Sequence, residues 1–206
     1  MKKDLVLIGG GGHCKSCIDV IEHTNEFNII GILDQRELIG SHVLGYEVIG
    51  TDDDLLKFKA SHFLITVGQI KSNLTRKKIY KNLLDNSLSI ATVISPNAHV
   101  SKHAKIGAGT IIMHHAIVNS ESTIGNNCIV NTKALIEHDT IVGHHCHIST
   151  AAVLNGNCNI GNDVFIGSNA AVANHITIKD NVVVGAGVTV IRNITTAGIF
   201  TGKLNK

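Results

Sequence analysis

The chain has 206 residues, 44% of them hydrophobic and 3% aromatic, with a formal net charge of +2 and no Trp; that is enough apolar material for one domain, or two small ones, with a real core. Its 18 basic residues are spread along the chain, the one short run Arg76-Lys77-Lys78 reads as a solvated helix face, and few aromatics are present to stack bases, so no nucleic-acid partner is expected. No apolar run reaches the ~18 residues of a membrane span, and the apolar part of MKKDLVLIGGGG is too short for a signal peptide, which makes a cytoplasmic protein the expectation.

Residues 1–93 alternate strand and helix signals. Leu5-Val6-Leu7-Ile8 is a short apolar strand running into Gly9 to Gly12. Residues 16–24, SCIDVIEHT, have helical spacing through Cys17, Val20 and Ile21. Asn28 to Leu33 is a second strand ending at Asp34, and Phe63 to Val67 a third ending at Gly68. Leu74 to Leu84 is amphipathic and helical. This rhythm predicts an α/β domain, a small Rossmann-like parallel sheet. The glycine turn is neither of two familiar motifs. As GxGxxG it fails at Cys14, and as a P-loop it fails because Cys14 precedes Lys15. A glycine-rich turn entering a helix N-terminus still favours an anion such as a phosphate group. Cys14 and Cys17 form a CxxC, but with no second CxxC and no redox context they read as core.

From residue 94 the helical period vanishes. From Ile94 to Val190 a β-branched residue or Leu stands at seventeen consecutive sixth positions, with no insertion. A small residue precedes most of them by two places, among them Ala134, Thr140, Cys146 and Ala152, and Gly or Asn often follows, as at Gly125, Gly143, Asn155 and Gly161. A six-residue period with one inward aliphatic and one inward small residue predicts a parallel β-helix, three hexapeptides to a triangular coil, so residues 18 apart stack. Residues 94–193 then form between five and six coils, roughly 25 Å tall at about 4.8 Å per strand. Cys128, Cys146 and Cys158 occupy the small inward slot and read as buried spacers. Residues 194–206 are a tail.

Inside this pattern, LIEHDTIVGHHCHIST, residues 135–150, gathers two carboxylates and four histidines. Ala134 and Ile136 point inward, so Glu137, His138 and Asp139 lie outside, on a corner, where they cost the core nothing. A metal site at His144-His145-Cys146-His147 is not expected, because inward Cys146 and outward histidines cannot share an ion.

The hexapeptide repeat resembles the left-handed β-helix of the hexapeptide acyltransferases, and the left hand is taken from that family, since the usual crossover preference is right-handed. Residues 130–161, VNTKALIEHDTIVGHHCHISTAAVLNGNCNIG, with the N-terminal GGGGH…LD and VGQ…RKKIY, are similar to the bacterial sugar acetyltransferases that carry a small α/β domain before the solenoid. These include N-acetyltransferases of nucleotide-linked 4-amino-4,6-dideoxy sugars (bacillosamine and perosamine types) and sialic acid O-acetyltransferases. The N-acetyltransferase motif falls here on Asn131, His138 with Asp139, His147 and Gly156. The resemblance implies His138 as general base, oriented by Asp139, with Glu137 as a competing partner. It implies the Gly156 N–H as donor to the thioester oxygen, and Asn131 and His147 as contacts for acetyl-CoA, the co-substrate. Gly156 lies 18 residues after His138, one coil above it. In the N-terminal domain the resemblance points to Gly10, Gly11, His13 and Asp34 for the nucleotide, with Arg76 as a further phosphate candidate. Gln35 stands where the family has a second acid, which leaves uracil against thymine open. The family's terminal Gly-x-Pro-Ala-Lys-like segment is absent; Lys203 is the remaining candidate for a CoA phosphate.

The resulting expectation is a metal-independent cytoplasmic homotrimer that moves acetyl from acetyl-CoA to the 4-amino group of a UDP- or dTDP-linked 4-amino-4,6-dideoxy sugar, in surface glycan biosynthesis. The sialate enzymes tend to lack both the acid after the catalytic His and the second His; both are present here, which favours N-acetylation. The alternatives are a sialic or legionaminic acid O-acetyltransferase and a non-catalytic binding protein that keeps the solenoid as scaffold.

Overall fold

The structure, a computed structural model, describes residues 2–70 and 72–202. The chain divides into two compact units, residues 1–94 and 95–206.

The first unit is built on β1 (Lys3–Ile8), α1 (Gly12–Thr24), β2 (Phe27–Leu33), β3 (His42–Val43), β4 (Tyr46–Gly50), β5 (His62–Ile65), α2 (Leu74–Asp85) and β6 (Ser89–Ile90), with 3-10 turns at Arg36–Leu38 and Asp52–Phe58. The sheet order is β3-β4-β2-β1-β5-β6, parallel except for the β3–β4 hairpin. Val6 and Ile8 join Phe63, Ile65, Ile79 and Leu83 in one cluster, while Leu5 and Leu7, which alternate to the other face, are also fully buried. A parallel sheet covered on both faces explains the unbroken apolar run of β1. The sequence reading missed β3, β4 and β6, which are short and carry weaker apolar patterns. Strand order reverses at β1: β2 lies on one side and β5 on the other, so the loops after β1, β2 and β5 meet at a switch point, the place where such sheets bind ligands. Gly9, with φ +100°, permits that meeting, because a Cβ there would lie 2.5 Å from Val67 Cγ2. Thr66 bonds back to the carbonyls of Ile8 and Gly9 (3.0 and 2.6 Å).

Cys14 and Cys17 are buried free thiols on α1. Burial pushes the Cys14 thiol up to about 11, and burial raises Cys17 further. Neither is a ready thiolate.

The second unit is a parallel solenoid of mostly two-residue strands. His99–Val100, Ile117–Val118, Leu135–Ile136, Val153–Leu154, Ala171–Val172 and Thr189–Val190 form one stack, each strand pairing in parallel with the strand 18 residues on. The stack that begins at Lys105–Ile106 and the stack that contains Ile111–Ile112 follow the same register. Every sixth-position aliphatic from Ile112 to Val190 is at most 1% exposed, and so are Cys128, Cys146 and Cys158. Val100 and Ile106, in the first coil, are only partly covered. The small slot has a further rule. Where its residue carries a hydroxyl or thiol, that group donates to the carbonyl 15 residues later: Thr110 to Gly125, Ser122 to Glu137, Cys128 to Gly143, Thr140 to Asn155, Cys146 to Gly161 and Cys158 to Ala173, at 2.8–3.1 Å. Cysteine serves there as a compact donor as well as a spacer.

The corners are made by a residue the sequence reading did not single out. From Gly109 to Gly187 every sixth residue has a left-handed backbone, with φ between 54° and 74°, and most of them are Asn, Asp, His or Gly, the residues that tolerate that region best. The glycines after the inward aliphatic do a different job. Gly107, Gly125, Gly143 and Gly161 form a column in which the backbone of each coil lies against the next. A Cβ on Gly143 would sit 2.7 Å from Gly161 C and O.

Two outcomes follow. Gly143→Ala lowers stability by about 2–3 kcal/mol, as overpacking does, and Tm by roughly 5–10 °C, read by thermal unfolding. The five cysteines react slowly with Ellman's reagent in the native protein and fully in denaturant, because all five are buried.

Candidate active site

At the corner after Leu135–Ile136, Asp139 is the left-handed residue (φ 60°). That conformation turns its side chain back toward the preceding residue, and its Oδ2 accepts a hydrogen bond from His138 Nδ1 at 2.7 Å. With Nδ1 bearing the proton, Nε2 is the basic nitrogen. Both side chains are more than half exposed, so the basic nitrogen is within reach of a substrate.

The imidazole lies on the coil above. A Cβ on Gly156 would be 2.7 Å from His138 Cε1 and 2.8 Å from Nε2. Any side chain at 156 therefore pushes the ring away. The Gly156 carbonyl accepts from His175 N–H (3.0 Å); its own N–H donates to no acceptor among the described residues. An open backbone N–H beside a basic imidazole is the pairing that acyl transfer requires.

Glu137 does not compete for His138. Its Oε2 accepts from Asn119 Nδ2, one coil below, at 2.8 Å. Of the two acids it is Asp139 that bonds the imidazole.

The other histidines of the cluster are absorbed by the fold. His144 is a rung in a ladder: Ala108 N–H donates to Asn126 Oδ1, Asn126 N–H to His144 Nδ1, His144 N–H to Asn162 Oδ1 and Asn162 N–H to Asp180 Oδ1, all at 2.8–3.0 Å. His145 Nδ1 accepts from Asn127 Nδ2 (3.0 Å), and the Cys146 thiol turns inward to Gly161 O. Within the motif, these three groups diverge. His147 is 6% exposed and packs edge-on against Phe165, with ring centroids 5.2 Å apart. Its Nε2 faces Asn131 Nδ2 at 3.1 Å, so the structure brings Asn131 and His147 together. It does not bring them to His138: Asn131 precedes the Leu135–Ile136 strand and His138 follows it.

A second site lies in the α/β unit. A cleft of about 1070 Å³ opens at the C-terminal ends of β1, β2 and β5 and is lined by Gly9 to Gly12, His13 and Asp34, as well as by Thr51, Asp52, Asp53 and Gln69. α1 starts there without a side-chain cap, at Gly11. Asp34 is tied into the turn: its Oδ2 accepts from Gly10 N–H at 2.5 Å and its Oδ1 from Gln35 N–H at 2.7 Å. Asp52 and Asp53 were not picked out from sequence. Their signal is β4 running into Thr51-Asp52-Asp53-Asp54, a capping box that starts a 3-10 helix at the sheet's end. Burial, then the nearby charges of Asp34 and Asp53, raise the Asp52 carboxyl.

Arg76 requires a correction. It is 1% exposed, so it is neither a phosphate ligand in this cleft nor part of a solvated face. Its Nη1 donates to the carbonyls of Ile65 and Val67 (2.8 and 2.7 Å), fixing the loop after β5. Lys203 lies outside the described residues.

Residues 4–83 match the PglD N-terminal domain family, and residues 157–192 match the bacterial transferase hexapeptide repeats. The fold is similar to that of a variant of perosamine N-acetyltransferase from Caulobacter crescentus solved with CoA and GDP-perosamine, with 31% identity over 96% of this chain and 93% of that one and a TM-score of 0.87. It is also similar to the acetyltransferase domain of PglB from Neisseria gonorrhoeae solved with acetyl coenzyme A, with 32% identity over 94% and 93% of the two chains and a TM-score of 0.88. The chain belongs to the hexapeptide-repeat sugar N-acetyltransferases. Its solenoid is the left-handed β-helix of that family. An uncharacterised protein of Acanthamoeba polyphaga mimivirus is 33% identical over 103 residues, half of this chain but only 20% of that protein's length.

In this family member, Gly156→Ala displaces the His138 ring. The expected result is a loss of about 10²-fold or more in kcat, of the size a misplaced reacting group produces, with the cooperative unfolding of the solenoid retained by circular dichroism. An alanine variant as fast as the parent removes the His138–Gly156 contact from the active site.

Proposed function

We propose that the protein transfers acetyl from acetyl-CoA to the 4-amino group of a nucleotide-linked 4-amino-4,6-dideoxy sugar, a step of surface glycan biosynthesis in the cytoplasm. The observation that carries this is the His138 imidazole, held by Asp139 through Nδ1 and lying on Gly156 one coil above, in a chain 31% identical to a perosamine N-acetyltransferase that holds CoA and GDP-perosamine and 32% identical to an acetyltransferase domain that holds acetyl-CoA.

The free amine attacks the thioester carbon. As the C–N bond forms, His138 Nε2 takes a proton from the nitrogen, and Asp139 stabilises the imidazolium. The carbonyl oxygen gains charge and is met by the Gly156 N–H. Collapse breaks the C–S bond, and the departing thiolate takes the proton from His138. Atoms and charge balance without a covalent enzyme intermediate and without a metal. Asn131 and His147 hold acetyl-CoA. Because they and His138 stand on different corners, the complete site forms between neighbouring solenoids of a homotrimer. The outward residues Ile117, Leu135, Val153 and Ala171 support that packing: they make an apolar strip on one flat face, and Ile117 is 39% exposed. The cleft of the α/β unit takes the nucleotide, with diphosphate at Gly10, Gly11 and the start of α1, His13 beside it, and the nucleoside toward Asp34.

The test is free-thiol release from acetyl-CoA with UDP-, dTDP- and GDP-linked 4-amino-4,6-dideoxy sugars and with free sialic acid as acceptors. Release with a nucleotide aminosugar is expected. Release with sialic acid alone moves the answer to O-acetylation. His138→Ala lowers kcat by about 10²–10⁴-fold while light scattering still reads three chains; full activity in that variant rejects His138 as the base.

A further inference from the structure

Acetylating an amine and acetylating a hydroxyl differ by one proton. A sugar amine near neutral pH is largely an ammonium ion, since alkyl amines titrate at roughly 8–10. It must lose two protons to become an amide, one to free the lone pair and one as the C–N bond forms. His138 takes the second and returns it to the departing sulfur. The first needs its own acceptor. A hydroxyl has one proton to lose and needs only His138.

We infer that Glu137 binds the acceptor's ammonium group and takes its first proton, so that this residue selects an amine over a hydroxyl. The inference rests on the acetyl-transfer reading of the His138 corner. Glu137 is the immediate neighbour of His138, partly buried and on the outside of the same turn. Its backbone is pinned on both sides, N–H to Leu154 O at 2.9 Å and carbonyl to Ser122 Oγ at 2.8 Å. Its carboxylate is anchored through Oε2 only, by two neutral donors, Asn119 Nδ2 at 2.8 Å and the His138 backbone N–H at 3.4 Å. Among the described residues, no Lys, Arg or His side chain pairs with it and no donor reaches Oε1. Asp139, the other acid, is already committed to His138. With the imidazole neutral, the corner carries two negative charges and no positive one, which favours a cationic ligand. Asn119 fixes where that charge sits without neutralising it. The step balances: ammonium and carboxylate become free amine and carboxylic acid, the amine attacks as above, and the acid returns its proton to water.

Glu137→Gln keeps the volume and a partner for Asn119 while removing the charge. The measurement is kcat/KM for the nucleotide aminosugar against pH, in parent and variant, together with the KM for acetyl-CoA and the Tm. Near pH 7 the variant is expected to lose tenfold or more, the scale of a hydrogen bond to a charged group, mostly in the sugar's KM. The acetyl-CoA KM and the Tm stay unchanged, and Glu137→Asp recovers part of the loss. The deficit shrinks as pH approaches the pKa of the amine, where the acceptor arrives already deprotonated; a packing defect would not follow that titration. No deficit, or one constant with pH, overturns the inference while leaving acetyl transfer intact. A parent enzyme that acetylates no aminosugar overturns the reading beneath it instead.

Discussion

The solenoid rests on one constraint: each coil must take 18 residues, so that backbone lands on backbone. At Gly107, Gly125, Gly143 and Gly161 successive coils touch with no room for a Cβ, and a single inserted residue would put a side chain into that column. The left-handed residue at every sixth position keeps the count by closing each corner in the same way. A one-residue strand slip is forbidden here, because it would invert the inward and outward faces of every strand above it. The rigidity matters for chemistry. Two residues 18 apart are held one above the other by the whole stack, and His138 over Gly156 is such a pair.

The three corners share a backbone but not a surface, and the difference explains where a reaction has room to occur. At the corner of Asn126, His144 and Asn162, each coil's exposed N–H is capped by a polar side chain from the coil above. That ladder satisfies the backbone and leaves no donor for a ligand. At the His138 corner the ladder is absent: Gly156 has no side chain to cap the His138 N–H, which turns to Glu137 Oε2 instead, and among the described residues nothing accepts from the Gly156 N–H. The glycine makes space for the imidazole, and its own N–H stands uncapped beside the ring. His144 and His138 are both exposed histidines on corners. One is an acceptor for a backbone N–H and the other has its basic nitrogen free, because Asp139 takes the proton-bearing side.

Much of this was legible in the sequence because the period is exact in number. The inward set, the three solenoid cysteines as spacers and the stacking of Gly156 on His138 all follow from counting by six and eighteen. What was not legible depends on side chains crossing between coils or loops. The His144 ladder needs the identity of residues 18 places apart and their rotamers, and no periodicity distinguishes it from a polar corner. The corner residues themselves are visible in hindsight as Asn, Asp and His at fixed places, but their left-handed backbone is a property of the closed coil. Arg76 misled because a basic run on a helix normally faces water; here the guanidinium reaches the carbonyls left open at the end of β5. Asp52 was hidden by the short β4, whose end had to be recognised before the acid after it could be placed at the cleft.

The cleft also has a polarity that constrains what lies in it. One side offers backbone N–H groups and the uncapped start of α1, which favour anions. The other side offers Asp52 and Asp53 in addition to Asp34, enough negative charge, with burial, to raise the Asp52 carboxyl. Asp34 stands between them, and by accepting from the Gly10 and Gln35 N–H groups it holds the turn in shape. A phosphate placed against the acidic wall would be repelled, and a donor-rich nucleoside placed against the glycine turn would waste the helix N-terminus. For the nucleotide sugar proposed above, this polarity favours one orientation, diphosphate on the glycines and nucleoside hydroxyls and N–H groups on the carboxylates. The preference is one of charge, before any shape complementarity is considered, and does not depend on which base the nucleotide carries.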